Sequence, residues 1–143
     1  MNPTEKLDVV GNIKATGDIL ASSYLVTSDE RLKSDIESIK NALDLILRIR
    51  GVSFKWKSNG REDIGFIAQQ IEEVLPELVH TDPKTGLKSV QYANIVAVLV
   101  AAMQEQERKF QMQQRQIFEQ QRQIDEQEIR LWKIEERLEE KLR

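Results

Sequence analysis

One pair of side chains in this sequence, Ser28 and Lys33, has the residue types for nucleophilic chemistry. A lysine amine can take the proton of a serine hydroxyl, but only in its neutral form. Neutrality requires burial among apolar groups, because burial disfavours the ammonium. Leu32 and Ile36 are close in sequence and could supply part of that apolar environment. The candidate chemistry is therefore a serine nucleophile activated by a lysine base.

Two features of the local sequence oppose this interpretation of Ser28 and Lys33. Asp29 and Glu30 are negative neighbours, and negative charge favours the charged lysine. Residues five apart on a regular helix also lie about 140° apart around its axis, so Ser28 must precede the first turn, with Lys33 reaching back or crossing to another chain. From the residues alone, the more ordinary interpretation is that Ser28 is the N-cap of a helix.

The composition excludes several other kinds of site. The 143 residues include no cysteine and one histidine, His80, so thiolate and His-rich metal sites are excluded, and we expect no metal and no cofactor. The net charge of −3 is opposite in sign to that of a protein that follows phosphates, so no nucleic-acid partner is expected. No run of about 18 apolar residues is present, so no membrane partner is expected either.

The middle of the chain, about Ser28 to Gln91, has the mixed pattern of a small α+β segment. Apolar residues recur every three or four positions towards a predicted helix end at Gly51, namely Ile36, Ile39, Leu43 and Ile46. Alternation and turn residues then predict strands at 52–57, 64–67 and 87–91, with turns at 58–60 and 82–86. A further helix is predicted from Ala68 to Leu75, where Pro76 stops it.

The first 27 residues contain a near repeat of six, at residues 11–16 and 17–22. Apolar and polar residues alternate within each unit, which indicates extended strands, and the glycines that open the units mark turns. Two units are too few to bury a core alone. The pattern fits a single β-hairpin and, equally well, the last turns of a fibre stem whose strands come from several chains.

The last third of the chain has the strongest periodicity, a heptad repeat in a helix predicted from about Tyr92 to Arg143. Apolar residues occupy position a in six successive heptads: Met103, Phe110, Ile117, Ile124, Leu131 and Leu138. Such a repeat predicts a supercoil of two or more helices. A helix of roughly 75 Å is too long for a domain of this size to cover, so the partner is expected to be another chain. The alternative is an amphipathic helix that lies on the chain's own core.

Position d of the same repeat is mostly glutamine, with Gln106, Gln113, Gln120, Gln127, Ile134 and Lys141 in order. Buried amides cost stability in a two-stranded seam, whereas around a threefold axis they can hydrogen-bond in a ring and fix register. A trimer is therefore favoured over a dimer. The predicted trimer core is Met103, Phe110, Gln113, Ile117, Gln120, Ile124, Gln127, Leu131, Ile134 and Leu138. The apolar start of the helix, about 96–102, is expected to pack on the globular segment.

Three blocks of this sequence resemble a known family. They are the SDERLKSDI motif at 28–36, the stretch IGFIAQQIEEVLPELV at 64–79, and VQYANIVAVLVAA at 90–102. In order and spacing, they are similar to the endosialidase-type C-terminal intramolecular chaperone domain, which closes phage tailspikes, tail fibres and neck appendages. The resemblance covers about Ser28 to Gln106. It does not extend clearly to the glutamine-rich helix or to the stem.

The resemblance implies a homotrimer that guides assembly of the fibre preceding it in the same chain and then cuts itself off. The cleaved bond would be Thr27–Ser28, with Ser28 as nucleophile and Lys33 as base, which makes the chain an autocatalytic serine endopeptidase that turns over once. It also implies action in the cytoplasm of an infected bacterium during virion assembly, and a parent fibre in the virion tail.

Together these patterns predict an α+β fold with a short β stem, a small mixed globular segment and a long C-terminal helix in a homotrimeric coiled coil. The expected domains are a stem at 1–27, a chaperone and autoprocessing segment at 28–91, and a coiled-coil helix at 92–143. Two alternative functions stay open at this point. One is a permanent trimeric fibre tip without chemistry, and the other is a dimeric coiled-coil adaptor that binds another protein.

Overall fold

The computed structural model describes residues 6–7 and 9–142 and divides the chain into two units, Met1–Ile36 and Glu37–Arg143. Residues 1–5 and Asp8 of the predicted stem, and the predicted helix end at Arg143, lie outside the described residues. The second unit is an α+β structure of short helices, two small sheets and one long C-terminal helix, which confirms the predicted α+β class and the long helix.

The described residues of the first unit contain one element, a 3₁₀ turn at Glu30–Leu32, and all of them are exposed. Within residues 9–27, no strand pairs with another. The single-hairpin interpretation is therefore wrong for these residues. Because a strand exists only with a partner for its backbone groups, a stem whose strands pair between chains stays a prediction.

Helix α1 spans Ala42–Arg48 and is shorter than the sequence predicted. Asp35 and Asn41 both adopt positive φ angles, of 52° and 54°, which a right-handed helix cannot contain. The helix predicted to begin after Ser28 is therefore wrong over residues 33–41. Its predicted end is also wrong, because the helix ends at Arg48 with Ile49 as C-cap, and Gly51 lacks the positive φ of a C′ glycine.

Strands β1 (Val52–Lys55) and β2 (Glu62–Gly65) form an antiparallel pair in which Val52 faces Gly65 and Lys55 faces Glu62. The predicted turn closes the pair, with Gly60 at a φ of 70° and its N–H bonded to the Trp56 carbonyl at 2.8 Å. Strand β2 begins two residues earlier than predicted, because the turn fixes the register of the hairpin.

Helix α2 spans Ala68–Glu72, and a second 3₁₀ turn follows at Pro76–Leu78. Strand β3 (Val79–Thr81), which the sequence analysis missed, pairs antiparallel with the predicted strand β4 (Lys88–Val90). His80 lies exposed on β3, and the predicted turn between the two strands has Gly86 at a φ of 68°.

Helix α3 runs from Tyr92 to Leu142, about 76 Å at the usual helical rise. Its first three turns complete a small core with α1, α2 and the second 3₁₀ turn, and the buried residues are Ala42, Ile71, Leu75, Leu78, Ile95, Val98 and Ala102. The predicted packing of the start of the helix is therefore confirmed for Val98 and Ala102, whereas Val96, Leu99 and Val100 are exposed. From Gln106 to Leu142 every side chain is exposed, so the interpretation of α3 as a helix on the chain's own core is wrong beyond its first turns.

None of the helices within the described residues combines the length and the apolar content that crossing a bilayer requires.

Candidate functional site

The predicted nucleophile and base lie on either side of the 3₁₀ turn at Glu30–Leu32. The Leu32 N–H bonds to the Asp29 carbonyl at 3.1 Å, and the Lys33 N–H bonds to the Glu30 carbonyl at 3.0 Å. Asp29 and Lys33 themselves have extended backbone angles. A tight turn of about three residues between extended flanks brings the two ends of the motif back towards each other.

Ser28 and Lys33 are in direct contact, with 2.6 Å between Ser28 Oγ and Lys33 Nζ. The 140° separation of a regular helix does not apply, because no α-helix connects them. At this distance an ammonium donates to the hydroxyl, or the hydroxyl donates to a neutral amine. Both residues belong to one chain, and both are exposed, as is Thr27 on the other side of the candidate bond.

The N-cap of the turn is Asp29, whose Oδ1 accepts from the Arg31 N–H at 2.9 Å. The interpretation of Ser28 as the N-cap is therefore wrong. Since carboxylates and hydroxyls cap equally well, the sequence alone could not choose between two adjacent capping residues. The Ser28 hydroxyl is left to contact Lys33.

Arg31 forms a bidentate ion pair with Asp29 that the sequence analysis missed. Arg31 Nε donates to Asp29 Oδ1 at 3.0 Å, and Arg31 Nη2 donates to Asp29 Oδ2 at 2.7 Å. The Arg31 side chain, followed by its backbone N–H, holds the pKa of Asp29 below its ordinary value. The same contact raises the pKa of Arg31. One of the two acids that opposed a neutral Lys33 is thus already paired with a cation.

The predicted trimer-core residues form a continuous stripe on α3 that no other part of the described chain covers. The apolar members of the stripe are 47% to 69% exposed, and the three glutamines, Gln113, Gln120 and Gln127, are exposed as well. Apolar side chains at this spacing on one helix face are typical of a seam between helices. The association itself is not visible in one chain and stays a prediction.

The heptad continues further towards the start of α3 than the sequence analysis stated. Val96 falls at position a and Leu99 at position d, and both are exposed, as is Val100 beside them. Ile95 and Val98 face the chain's own core instead. The first turns of α3 therefore present one apolar face to the core and leave another open, a distinction that density of apolar residues alone could not reveal.

Glu105 joins α3 to the globular core. Its Oε2 accepts from the Leu43 N–H at 3.1 Å, near the start of α1, and its Oε1 pairs with Lys109 Nζ at 2.8 Å. Asn41, the N-cap of α1, makes no side-chain capping bond, so Glu105 satisfies one of the free amides there. The pKa of Glu105 is lowered mainly by the hydrogen bond from Lys109, and to a smaller extent by that from the Leu43 N–H.

Gly65 and Tyr92 connect the second and third sequence blocks. Tyr92 Oη accepts from the Phe66 N–H at 3.0 Å. A Cβ on Gly65 would lie 2.5 Å from the same oxygen, so the glycine permits the hydroxyl to reach the backbone. The two aromatic rings, Phe66 and Tyr92, also pack at 5.3 Å between centroids.

Within the described residues, no group of acidic or histidine side chains is arranged to hold a metal ion. The aromatic hairpin residues are engaged in local packing. Phe54 and Trp56 pack edge to face at 5.2 Å, and Trp56 Nε1 donates to Asp63 Oδ2 at 3.0 Å.

Comparison with known proteins gives matches of three kinds. The model of the family described as chaperone of endosialidase (Peptidase_S74) matches residues 28–80. The long tail fiber protein Gp37 of Salmonella phage S16 is 33% identical over 97 residues, covering 61% of this chain. The protein of the same name in Enterobacteria phage T2 is 35% identical over 102 residues, covering 66% of it.

The matched part is a small fraction of these relatives, 13% of the phage S16 protein and 8% of the phage T2 protein. A solved structure described as "Crystal structure of a novel intramolecular chaperon" covers 57% of this chain and 99% of its own, with 21% identity and a TM-score of 0.42. The resemblance predicted from the three sequence blocks is confirmed, and this chain is similar over residues 28–80 to the chaperone-of-endosialidase family.

Proposed function

We propose that this chain is an intramolecular chaperone that trimerises, guides the folding of a phage fibre region preceding it, and releases itself by cutting the Thr27–Ser28 bond. The observation that carries the proposal is the 2.6 Å contact between Ser28 Oγ and Lys33 Nζ, within the segment that matches the family. The relatives named as long tail fiber proteins support a parent fibre in the virion tail, which would be assembled in the cytoplasm of the infected bacterium.

The proposed chemistry begins with transfer of the Ser28 hydroxyl proton to neutral Lys33. Ser28 Oγ attacks the carbonyl carbon of Thr27, and the C–N bond to the Ser28 nitrogen breaks as Lys33 returns the proton to that nitrogen. This leaves Thr27 esterified to Ser28 Oγ. Water then attacks the ester, with Lys33 as base, and releases a Thr27 carboxylate and a new N-terminus at Ser28. One water molecule is consumed, and each chain reacts once.

The stripe on α3 supports association of three copies. Its apolar members would leave water on association, and each largely buried aliphatic side chain contributes about 1.5–3 kcal/mol relative to full exposure. The glutamines at position d favour a threefold arrangement, because their amides can bond to one another around the axis. Association also supplies what the single chain lacks, burial of the exposed Lys33 that disfavours its charged form.

A chaperone of this kind solves a register problem for a repetitive stem. Strands that repeat specify their pairing register weakly, and pairing between distant segments is slow and prone to aggregation. A trimeric helix bundle raises the local concentration of three stems. Once the bundle is removed, the assembled stem has no template for reversible unfolding and refolding. Its lifetime is then set by its unfolding rate and not by an equilibrium.

The intact masses of the products test the proposal. Trimer purified after expression should contain two fragments, residues 1–27 and 28–143, and Ser28→Ala or Lys33→Ala should leave one intact chain. Ser34→Ala removes a hydroxyl just beyond the motif lysine and serves as the matched control, which should still cleave. A folded trimer that never cleaves would instead favour the permanent fibre tip, and a dimer in sedimentation would favour the adaptor.

A further inference from the structure

We propose that Arg31 is a positioning residue of the self-cleavage site, which holds the Asp29 carboxylate in a closed ion pair so that Lys33 can release its proton. This inference rests on the proposed function, since it concerns the base of the same reaction. Arg31 itself does not touch the nucleophile or the bond that breaks. It acts through Asp29, the residue next to Ser28.

The geometry of the pair is more specific than that of an ordinary surface contact. Asp29 Oδ1 accepts from both the backbone N–H of Arg31 and its Nε, at 2.9 and 3.0 Å, and Oδ2 accepts from Nη2 at 2.7 Å. One carboxylate thus caps the turn and receives both arms of a guanidinium fork. The turn that brings Lys33 to Ser28 and the charge that neutralises Asp29 are therefore provided by the same two residues.

The electrostatic reason follows from the position of Asp29. A bare carboxylate one residue from the nucleophile would stabilise the ammonium form of Lys33, which cannot act as a base. Glu30 and Asp35 are the other acids closest to Lys33 in sequence, and both are exposed. Of these three acids, Asp29 is the one adjacent to the reacting hydroxyl, and it is the one that the guanidinium engages.

The same pair is expected to matter little for folding. The Arg31 side chain is 88% exposed and that of Asp29 is 40% exposed, and ion pairs in such positions contribute little to stability. Its contribution should therefore appear in the pH dependence of cleavage rather than in the stability of the trimer. This difference separates a positioning role from a structural one.

The test uses the full chain with its stem, made by cell-free synthesis, captured in guanidinium chloride and diluted into buffers of increasing pH. Intact mass measured over time gives the cleavage rate at each pH. Arg31→Gln should move the profile to higher pH by about half a unit to one unit, the order of effect that a unit charge has across several ångströms of largely solvated space. The rate at high pH should stay within about twofold of the original, because deprotonation is then complete.

Two further variants distinguish charge from shape. Asp29→Asn keeps a side-chain oxygen that can cap the turn but leaves Arg31 unpaired, so its profile should move to lower pH. The double variant, with both substitutions, should return close to the original profile. Arg50→Gln makes the same change in net charge at an exposed site outside the motif and should leave the profile unmoved.

The inference is overturned if the original chain cleaves while Arg31→Gln and Arg50→Gln give the same profile. It is equally overturned if Arg31→Gln lowers the cleavage rate at every pH without moving the profile, and the double variant with Asp29→Asn does not regain the original rate. The ion pair would then only hold the turn. Absence of cleavage in the original chain at every pH would refute the proposed function itself, and the inference with it.

Discussion

Ile124 and Ile129 offer a matched test of the association surface. Both are isoleucines on α3, and they are 47% and 54% exposed in the single chain. They differ in heptad position, because Ile124 falls at a, in the proposed seam, and Ile129 falls at f, on the opposite side. A lone helix would respond alike to Ile124→Ala and Ile129→Ala, whereas a coiled coil would respond to the first alone.

The expected magnitude follows from the surface that remains to be buried. Full burial of an isoleucine is worth about 1.5–3 kcal/mol, and roughly half the surface of Ile124 is already covered in one chain, so association should gain about 1 kcal/mol from each copy. Ile124→Ala changes three copies at once and should cost about 3 kcal/mol per trimer, or a 100-fold weaker association constant. Any cavity that fails to collapse adds to this cost. Ile129→Ala should change stability by less than about 0.5 kcal/mol.

Sedimentation equilibrium and thermal melting at several protein concentrations measure the effect. The original chain should sediment at three times the chain mass, and its Tm should rise with concentration, because folding and association are linked. At low concentration the Ile124→Ala chain should dissociate and lose helix signal, since long helices without partners are marginal in water. Equal responses of the two variants, or a Tm independent of concentration, would refute the seam.

Two further predictions concern the core that holds α3 in place. Gly65→Ala should lower the free energy of unfolding by about 1–3 kcal/mol in denaturant titrations, because its Cβ would lie 2.5 Å from the Tyr92 hydroxyl, whereas Gly51→Ala enters open space and should be neutral or slightly stabilising. In the folded chain, the pKa of Glu105 lies below its ordinary value of about 4.5. Its contribution to the free energy of unfolding is therefore present above about pH 4.5 and is lost as the pH falls through the lowered folded pKa. Glu105→Gln should therefore lower the free energy of unfolding at neutral pH, and progressively less in acid. The control variant Glu107→Gln should leave that free energy and its pH dependence unchanged. Identical pH profiles of stability for the two variants would contradict the capping role of Glu105.

The long helix was predictable from the sequence because its signal is local and repeated. Six apolar residues spaced by seven, and few helix-breaking residues, define α3 without any knowledge of tertiary contacts. The first hairpin and the turn of the second were predictable for a similar reason, since Gly60 and Gly86 supply the positive φ angles that these turns require. The same reasoning missed β3, whose three residues gain their strand character from pairing with β4.

The helix predicted from Ser28 towards Gly51 shows where reasoning from periodicity fails. Ile36 and Ile39 have helical spacing, yet both lie outside α1 and are exposed. The left-handed conformations of Asp35 and Asn41 interrupt the helix, and aspartate and asparagine adopt such conformations more readily than most residues. Periodicity indicates which side of a helix a residue would face. It gives no information about residues whose backbone conformation ends the helix.

The candidate site also has a part that the sequence predicted and a part that it did not. Residue types raised Ser28 and Lys33 as a candidate pair but favoured an N-cap at Ser28, so their roles as nucleophile and base came from resemblance. The cap at Asp29 and the fork from Arg31 depend on side-chain geometry in a turn of three residues. A short 3₁₀ turn has no periodicity to detect, so no sequence pattern could have separated it from the first turn of a helix.

Contact with Ser28 and burial of Lys33 are separate requirements for the proposed cleavage, and the single chain meets only the first. The local turn brings Lys33 Nζ to 2.6 Å from Ser28 Oγ, but both residues are exposed. If one chain alone buried Lys33, cleavage would precede association and free the stem before three copies could align. Under the proposed function, leaving the burial of Lys33 to the assembled trimer would make the reaction wait for assembly. For that reason, variants that weaken the α3 seam should also slow cleavage, even though the seam contains none of the reacting groups.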